Sequence, residues 1–289
     1  MPNQAMSHSA QILDGKKVSK ALQSSLSLQI KKRVDAGFDA PGLAVVLVGN
    51  DEASAVYVNN KIKACERTGI RSKSYHLPRQ TSAVALYNLI DELNENPQVH
   101  GILVQLPLPE HIDETEVTNR INPKKDVDGF HAVNVGHLAL RQPGLRPCTP
   151  RGVITLLHHY HIDPKGHHCV IVGASNIVGR PLLLEMLFAG ATVTSCHRFT
   201  RNLEQHVAQA DILCVAVGNP NVVNAEWIKP GAIVIDIGIN RMTDGSLAGD
   251  IDYKVACQKA GWITPVPGGI GPMTVATLMQ NTFEASLLS

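Results

Sequence analysis

The sequence lacks a marked excess of charge and lacks any long apolar run. Its 26 Lys and Arg residues nearly balance 25 Asp and Glu residues, so the formal net charge is +1. It has no apolar run of roughly 18 residues, and residues 1–9 are without the apolar segment of a signal peptide. These absences argue against a membrane protein or a nucleic-acid-binding protein. We expect a cytoplasmic protein whose first nine residues form a disordered leader.

Spacings typical of disulfide and metal sites are also missing. The six cysteines are scattered, with no C-x-x-C pair, and several lie in strand-like apolar runs. The 13 histidines include no H-E-x-x-H or similar ligand spacing. The sequence therefore predicts buried free thiols and no metal site.

A glycine turn between an apolar strand and an apolar helix organises the second half of the chain. Residues 169–172 are apolar, Gly173 follows them, and residues 177–188 have the pattern of a helix. This layout places a phosphate at a helix N-terminus. Ser175 stands at the middle glycine position of a dinucleotide fingerprint, and Gly179 comes one residue late. On this motif alone, any α/β domain with a glycine turn is an equal alternative.

The end of the next predicted strand favours NADP as the cofactor. An NAD site is expected to place an acid about 20 residues after the glycine turn, where it binds the ribose 2′-hydroxyl. Here residues 191–196 form the strand, and His197 and Arg198 follow it. Cationic donors at this point suit a 2′-phosphate. The alternative is a basic cluster on the surface.

The order of predicted elements indicates an α/β protein with two domains, each a mainly parallel sheet with flanking helices. In the first half, apolar strands at 43–48 and 101–106 alternate with predicted helices, which is a βαβ rhythm. Residues 110–150 are predicted to be loop-rich, and Thr149 is predicted to cap a helix at 151–160. We therefore expect one domain over residues 1–149 and a Rossmann-like domain over 150–271. A last helix is predicted at 273–288.

Tyr57 and Lys61 are the first candidates for chemistry. They are four residues apart on a predicted helix, so their side chains project from one face. That helix follows a parallel strand, and ligands bind at the carboxyl ends of such strands. From spacing alone, a solvated lysine beside a packed tyrosine is the stronger interpretation.

Gln105, Asp126 and Asp128 are the next candidates. Gln105 lies near the end of an apolar strand, where a buried amide needs hydrogen-bond partners or a ligand. Asp126 and Asp128 are two residues apart before Gly129, a pattern that fits a cation site, one acid facing a ligand, or a simple turn.

Glycine and proline are dense at residues 265–274. Such a loop is rigid and exposes its main chain, which suits a planar ligand. The alternative is a plain connection between the last strand and the last helix.

Together these motifs resemble the bifunctional methylenetetrahydrofolate dehydrogenase/methenyltetrahydrofolate cyclohydrolases. The resemblance covers the chain from about residue 12 to its end, with the motifs in the family's order. Each motif is weak alone, but five in order are highly specific. They are residues 54–61, 101–109, 125–129, 173–181 and 267–274.

The resemblance implies NADP-dependent oxidation of 5,10-methylenetetrahydrofolate and hydrolysis of the methenyl product to 10-formyltetrahydrofolate. It implies a place in one-carbon metabolism that serves purine biosynthesis. Lys61 would be the catalytic lysine, Gln105 would hold it, and Tyr57 would stack on or position the folate. Asp128 would bind the pterin N–H groups, with Asp126 the weaker candidate. Further substrate contacts would come from Gly268, Gly269, Pro272 and Thr274.

The same resemblance implies a dinucleotide domain at about 150–270, a first domain completed by the helix at 272–289, and a homodimer. The family often carries Arg at position 174, where this chain has Ala174. More of the 2′-phosphate contact would then fall to Arg198. The implied cofactor-binding residues are Gly173, Ala174, Ser175, Ile177, Val178, His197, Arg198 and Ile239.

Three other hypotheses remain open. A short-chain dehydrogenase also uses Tyr-x-x-x-Lys, but there the pair follows the glycine fingerprint, whereas Tyr57 and Lys61 precede it. An amino-acid or shikimate-type dehydrogenase shares the two-domain plan, but Gln105 and the Asp126–Asp128 turn favour folate. A non-catalytic nucleotide-sensing module is disfavoured by the presence of Lys61, Gln105 and Asp128 together.

Overall fold

The computed structural model describes residues 9–288, except for the side chains of Glu52 and Ala53. The leader predicted at residues 1–9 lies outside this range apart from Ser9. The chain divides into two compact units. The three-stranded unit comprises Ser19–Cys148 and Thr274–Ser289, and the six-stranded unit comprises Thr149–Met273 with the chain up to Val18.

The three-stranded unit is built on one parallel sheet. Its central strand β2 (Gly42–Val48) is buried at every position, as expected for the predicted continuous apolar run. It pairs in parallel with β3 (Arg71–Leu77) and β4 (Gly101–Val104). The helices are α1 (Gly15–Asp35), α2 (Glu52–Thr68), α3 (Ala83–Glu95), α4 (Glu114–Arg120) and α5 (Ala132–Ala139).

The six-stranded unit holds the second parallel sheet, in the order β1-β11-β8-β7-β5-β6. Its strands are β1 (Gln11–Ile12), β5 (His168–Val172), β6 (Thr192–Cys196), β7 (Ile212–Val215), β8 (Ile233–Asp236) and β11 (Trp262–Ile263). A separate hairpin joins β9 (Asn240–Arg241) and β10 (Leu247–Ala248). The helices are α6 (Cys148–His159), α7 (Gly179–Phe188), α8 (Leu203–Ala208) and α9 (Tyr253–Lys259). The last helix, α10 (Ile270–Ala285), begins in this unit and from Thr274 onwards belongs to the three-stranded unit.

Several predicted boundaries were wrong. The stretch predicted to be loop-rich contains α4 and α5, which are too short for a clear apolar period; the Asp113 side chain caps α4. Helix α6 begins at Cys148, so Thr149 lies inside its first turn and does not cap it. Strand β4 ends at Val104, just before Gln105, and α7 begins at Gly179, two residues after the predicted start. Helix α10 begins at Ile270, three residues before the predicted start at 273, so Pro272 lies in the helix and not in the preceding loop.

The predicted fold class is confirmed, since both sheets are parallel and carry flanking helices. Residues 11 and 12 belong with the six-stranded unit because β1 pairs with β11. The six cysteines are free thiols, and five of them are buried. Within residues 9–288, no helix has the length and apolarity to cross a membrane.

Candidate active site

Helix α2 places Tyr57 and Lys61 one turn apart. The helix is fixed at both ends, because the Asp51 carboxylate accepts from the Ser54 N–H (2.7 Å) and Gly69 ends it at φ 83°. Tyr57 is 40% exposed, so a ligand can reach it. Its partial burial raises the pKa of the phenol above the usual value.

Gln105 holds Lys61 directly. It follows β4, and its backbone N–H donates to the Val46 carbonyl (2.8 Å), which fixes the main chain there. The Lys61 Nζ donates to Gln105 Oε1 at 3.0 Å, and Gln105 Nε2 donates to the Leu106 carbonyl at 2.6 Å. The second bond orients the amide, so its oxygen points to the lysine. The predicted pairing of these two side chains therefore exists in the fold.

The turn at residues 125–129 is anchored by its first two residues. Lys125 Nζ donates to the carbonyls of Leu93, Asn94 and Asn96 at 3.1, 2.7 and 2.8 Å, and so caps the end of α3. Sequence reasoning missed this role, because Lys125 is about 30 residues from the helix end that it caps and no local pattern links the two.

Asp126 is the second anchor of this turn. Its carboxylate is 1% exposed and accepts from the N–H groups of Gly129 (3.1 Å) and His131 (2.8 Å) and from Asn134 Nδ2 (2.9 Å). Burial raises its pKa, and these bonds lower it. Both oxygen atoms of the Asp126 carboxylate already accept hydrogen bonds inside the protein, so Asp126 is poorly placed to bind a ligand.

Asp128 differs from Asp126 because its carboxylate has no hydrogen bond to any described residue. Burial raises its pKa to about 6, the nearby Lys61 charge lowers it, and the Asp126 charge raises it. Lys61 therefore contacts Gln105 and lies near enough to the Asp128 carboxyl for its charge to lower that pKa. The two acids also line a small pocket of mostly apolar side chains; its lining is Ile102, Val104, Leu106, Val117, Thr118, Ile121, Asp126, Asp128 and Phe130.

In the six-stranded unit, the predicted glycine turn has a tight main chain. Gly173 has φ 119°, and a Cβ atom there would overlap the Ala216 carbonyl oxygen. A Cβ atom on Gly179 would overlap the Gly173 carbonyl oxygen. Ser175 Oγ accepts from the N–H groups of Val178 (3.2 Å) and Gly179 (3.4 Å). Ala174, Ser175, Ile177 and Val178 thus form the approach to α7, which fits a diphosphate at the helix start.

His197 and Arg198 directly follow β6, as predicted, and both are exposed. Thr200 Oγ1 accepts from the His197 N–H (2.8 Å), and the Phe199 N–H donates to His197 Nδ1 (3.2 Å). The Arg198 guanidinium lies 4.7 Å from the centre of the Phe199 ring. The positive charge at this strand end suits a 2′-phosphate and no carboxylate stands in its place.

The remaining predicted site residues lie after β8, after β11 or in α10. Ile239 follows β8 and is 39% exposed. Gly268 and Gly269 lie between β11 and α10 in the six-stranded unit, and Gly269 donates its N–H to the Pro265 carbonyl (2.7 Å). Thr274 belongs to the three-stranded unit. Within the described residues, no group of three His, Cys, Asp or Glu side chains is arranged to hold a metal ion.

Comparison with known proteins decides the family. The model for the catalytic domain of tetrahydrofolate dehydrogenase/cyclohydrolase matches residues 13–128, and the model for its NAD(P)-binding domain matches residues 147–288. The chain belongs to this family. It is 59% identical over 284 residues to the bifunctional protein FolD of Xanthomonas axonopodis pv. citri (strain 306), covering 98% of this chain and 94% of that protein.

Solved structures of family members are similar over nearly the whole chain. The FolD dehydrogenase/cyclohydrolase of Campylobacter jejuni is 46% identical with a TM-score of 0.94, covering 96% of this chain and 99% of that one. The FolD of Trypanosoma brucei, complexed with NADP cofactor and an inhibitor, is 36% identical with a TM-score of 0.93, covering 100% and 99%. The predicted family and the predicted bifunctional dehydrogenase and cyclohydrolase are confirmed, as is a nicotinamide-dinucleotide domain.

Proposed function

We propose that the three-stranded unit binds the folate and carries the proton chemistry, while the six-stranded unit binds NADP. The substrate is 5,10-methylenetetrahydrofolate, which is oxidised to the methenyl form and hydrolysed to 10-formyltetrahydrofolate. The observation that carries this assignment is the Lys61–Gln105 contact, together with the Asp128 carboxylate, which has no hydrogen bond to a described residue and whose pKa the Lys61 charge lowers.

Asp128 and Tyr57 recognise the pterin and hold it in place. A carboxylate accepts two N–H bonds side by side, which matches the amino group and the adjacent ring N–H of a pterin. The Asp128 carboxylate can accept such bonds, whereas the Asp126 carboxylate already accepts from Gly129, His131 and Asn134. The half-exposed Tyr57 ring offers a face against which a planar ring stacks.

Lys61 moves protons at the folate nitrogens. Bound NADP would supply the acceptor for the hydride that leaves the one-carbon bridge. In the hydrolysis, a water oxygen bonds to the methenyl carbon, one carbon–nitrogen bond breaks, and the water protons leave with Lys61 as relay. One proton goes to the freed nitrogen and the other to solvent. Gln105 holds the lysine through its amide oxygen, and such general acid–base assistance is typically worth about 10² to 10⁴ in rate.

The cofactor assignment rests on the strand ends of the six-stranded unit. The main chain around Gly173, Ala174, Ser175, Ile177 and Val178 receives the diphosphate. His197 and Arg198 receive the 2′-phosphate, with Arg198 as the main contact because residue 174 is alanine. Ile239 is a further cofactor contact. Gly268, Gly269, Pro272 and Thr274 complete the substrate contacts.

The protein is further proposed to act as a cytoplasmic homodimer in one-carbon metabolism that supplies purine biosynthesis. Family resemblance supports the dimer. Sedimentation of the purified chain tests it, with a mass of twice 31.2 kDa expected.

The cofactor assignment is tested by mixing the protein with 5,10-methylenetetrahydrofolate and either NADP or NAD. The absorbance of reduced nicotinamide is then measured. We expect reduction with NADP at low concentration and little with NAD. A preference for NAD would overturn the role given to His197 and Arg198. Decay of methenyltetrahydrofolate without cofactor tests the cyclohydrolase step separately, and its absence would overturn the role of Lys61.

A further inference from the structure

Two buried carboxylates in the six-stranded unit have no part in the site described so far. Asp236 is the last residue of β8 and is 5% exposed, and Asp250 follows β10 and is 0% exposed. A buried carboxylate is costly unless it is paired or hydrogen-bonded, so its partners indicate its purpose.

Asp236 ties three backbone segments together. Its carboxylate accepts from the N–H groups of Gly238 (3.1 Å), Asp250 (3.0 Å) and Ile251 (3.0 Å). Its own N–H donates to Thr264 Oγ1 at 2.8 Å. The end of β8, the segment after β10 and the segment after β11 are therefore joined at one residue.

Asp250 extends the connection to the end of β7. Its Oδ2 accepts from the N–H groups of Val217 (2.7 Å) and Gly218 (2.9 Å), and its Oδ1 accepts from Asn240 Nδ2 (2.9 Å). Asn240 Nδ2 also donates to the Gly249 carbonyl at 3.1 Å. Backbone N–H groups after β7 that would otherwise lack a partner are thus held by a side chain from a distant segment.

The two carboxylates are packed closely against the main chain. A Cβ atom on Gly238 would overlap the Asp250 carboxylate, and one on Gly249 would overlap the Asp236 carboxylate. Each carboxylate lies directly against the backbone of a glycine, which restricts its orientation. The hydrogen bonds of Asp236 and Asp250 therefore hold the loops in place.

The tied segments are those that carry the proposed ligand contacts. Val217 follows Ala216, whose carbonyl oxygen lies against Gly173 of the glycine turn. Ile239 lies between Gly238, which donates to Asp236, and Asn240, which donates to Asp250. These segments follow the carboxyl ends of neighbouring parallel strands, where ligands bind in such sheets.

The segment after β11 is joined to the same network. Thr264 bonds to Asp236, and a Cβ atom on Gly269 would lie 2.8 Å from Thr264 Cβ. The loop with Gly268 and Gly269 therefore packs against Thr264, which is hydrogen-bonded to Asp236.

We propose that Asp250, supported by Asp236, is a positioning residue of the NADP site, which sets the spacing between the loops after β7 and β8 and the glycine turn. The inference rests on the proposed cofactor site. Asp250 does not touch the cofactor; it acts through the Val217 and Gly218 N–H groups and through Asn240.

The test compares Asp250→Ala and Asp250→Asn with wild type in the full-length protein. The Michaelis constant for NADP is measured together with kcat at saturating NADP, and cyclohydrolase activity is measured without cofactor. Asp252→Asn is the matched control, since Asp252 caps α9 through the N–H groups of Lys254 and Val255, and asparagine caps equally well.

We expect Asp250→Ala to raise the Michaelis constant for NADP by roughly tenfold or more, because a small misplacement of binding groups is costly. Its cyclohydrolase rate should stay within about twofold of wild type, and kcat within about threefold. Asp250→Asn should show a smaller rise, because its amide oxygen still accepts from the loop after β7 while its NH₂ group faces that of Asn240.

An unchanged Michaelis constant in a folded Asp250→Ala protein would overturn the proposal. So would a parallel fall of cyclohydrolase activity, which would indicate general destabilisation. If Asp250→Ala does not fold, the Asp250→Asn protein decides by the same two measurements. Absence of NADP binding by wild type would instead refute the proposed cofactor site itself.

Discussion

The three-stranded unit and the six-stranded unit each bury carboxylates, but they use them differently. Burial raises the pKa of both Asp128 and Asp236 to about 6. The Asp236 carboxylate accepts three backbone N–H bonds, whereas the Asp128 carboxylate has no hydrogen bond to a described residue. A raised pKa therefore does not by itself identify a binding site. The missing partner does, because an acid that the fold leaves unsatisfied is available to a ligand.

The same contrast extends to the two proposed sites, one in each unit. In the three-stranded unit, side chains such as Lys61 and Asp128 are proposed to supply the chemistry. In the six-stranded unit, the glycine turn is proposed to shape the NADP site, and the buried acids Asp236 and Asp250 are proposed to hold its loops. Removing a side chain should damage the first site most, and adding a methyl group should damage the second most. The predictions below separate these outcomes.

The largest effect is expected for Lys61→Ala. Loss of the proton relay should lower cyclohydrolase activity by about 10² to 10⁴, while NADP still binds, because Lys61 lies in the three-stranded unit. Decay of methenyltetrahydrofolate measures the first quantity, and NADP titration followed by protein fluorescence measures the second. Lys63→Ala is the control, since Lys63 is exposed on the same helix. Cyclohydrolase turnover at the wild-type rate in Lys61→Ala would refute the lysine assignment.

Gly173→Ala should damage the proposed NADP site in the six-stranded unit. The added Cβ would overlap the Ala216 carbonyl oxygen, so the turn must shift, and NADP affinity should fall by about 10² while cyclohydrolase activity remains. Gly231→Ala is the matched control in the same unit, because Gly231 also has positive φ (82°) but open space around its Cβ position. Equal losses of NADP affinity in the two variants would mean that backbone strain, and not the contact with Ala216, causes the effect.

Much of this contrast was predictable from local sequence. The buried run of β2, the Asp51 and Gly69 ends of α2, and the glycine turn each depend on residues close in the chain. Lys61 and Gln105 were paired by resemblance, and the fold brings their side chains to 3.0 Å. Their assigned roles remain predictions.

The rest depended on contacts between distant residues. Helices α4 and α5 are too short to show a clear period, and α10 starts early. Asp126 and Asp128 look alike in sequence, and the partners that occupy Asp126 include Asn134, eight residues away. Asp250 bonds to residues 32 and 33 positions before it, which no local pattern reveals.

Arg198→Ala should have an intermediate effect. If Arg198 contacts the 2′-phosphate, its loss removes a charge-assisted bond that NADP makes and NAD does not, which is typically worth about 1.5–3 kcal/mol. We expect the Michaelis constant for NADP to rise by about tenfold or more, with that for NAD nearly unchanged. Arg201→Ala serves as the control, since Arg201 is exposed three residues further on. An equal change for both cofactors would remove Arg198 from the 2′-phosphate site.

The smallest effect concerns the stability that Asp128 gives up for its proposed role. Its folded-state pKa of about 6 lies above the usual 3.8, so its contribution to stability is present below pH 3.8 and lost as pH rises through 6. Asp128→Asn stays neutral and should avoid this loss. Because Asp128 is only half-buried, we expect a gain of about 1 kcal/mol, or roughly 2–4 °C in Tm, at pH 8 relative to pH 4.

Asp126→Asn should instead lower Tm at both pH values, since Asp126 accepts three bonds. Thermal unfolding of the three proteins at the two pH values measures this, and a Tm gain for Asp128→Asn that does not depend on pH would show that ionisation of Asp128 is not its source.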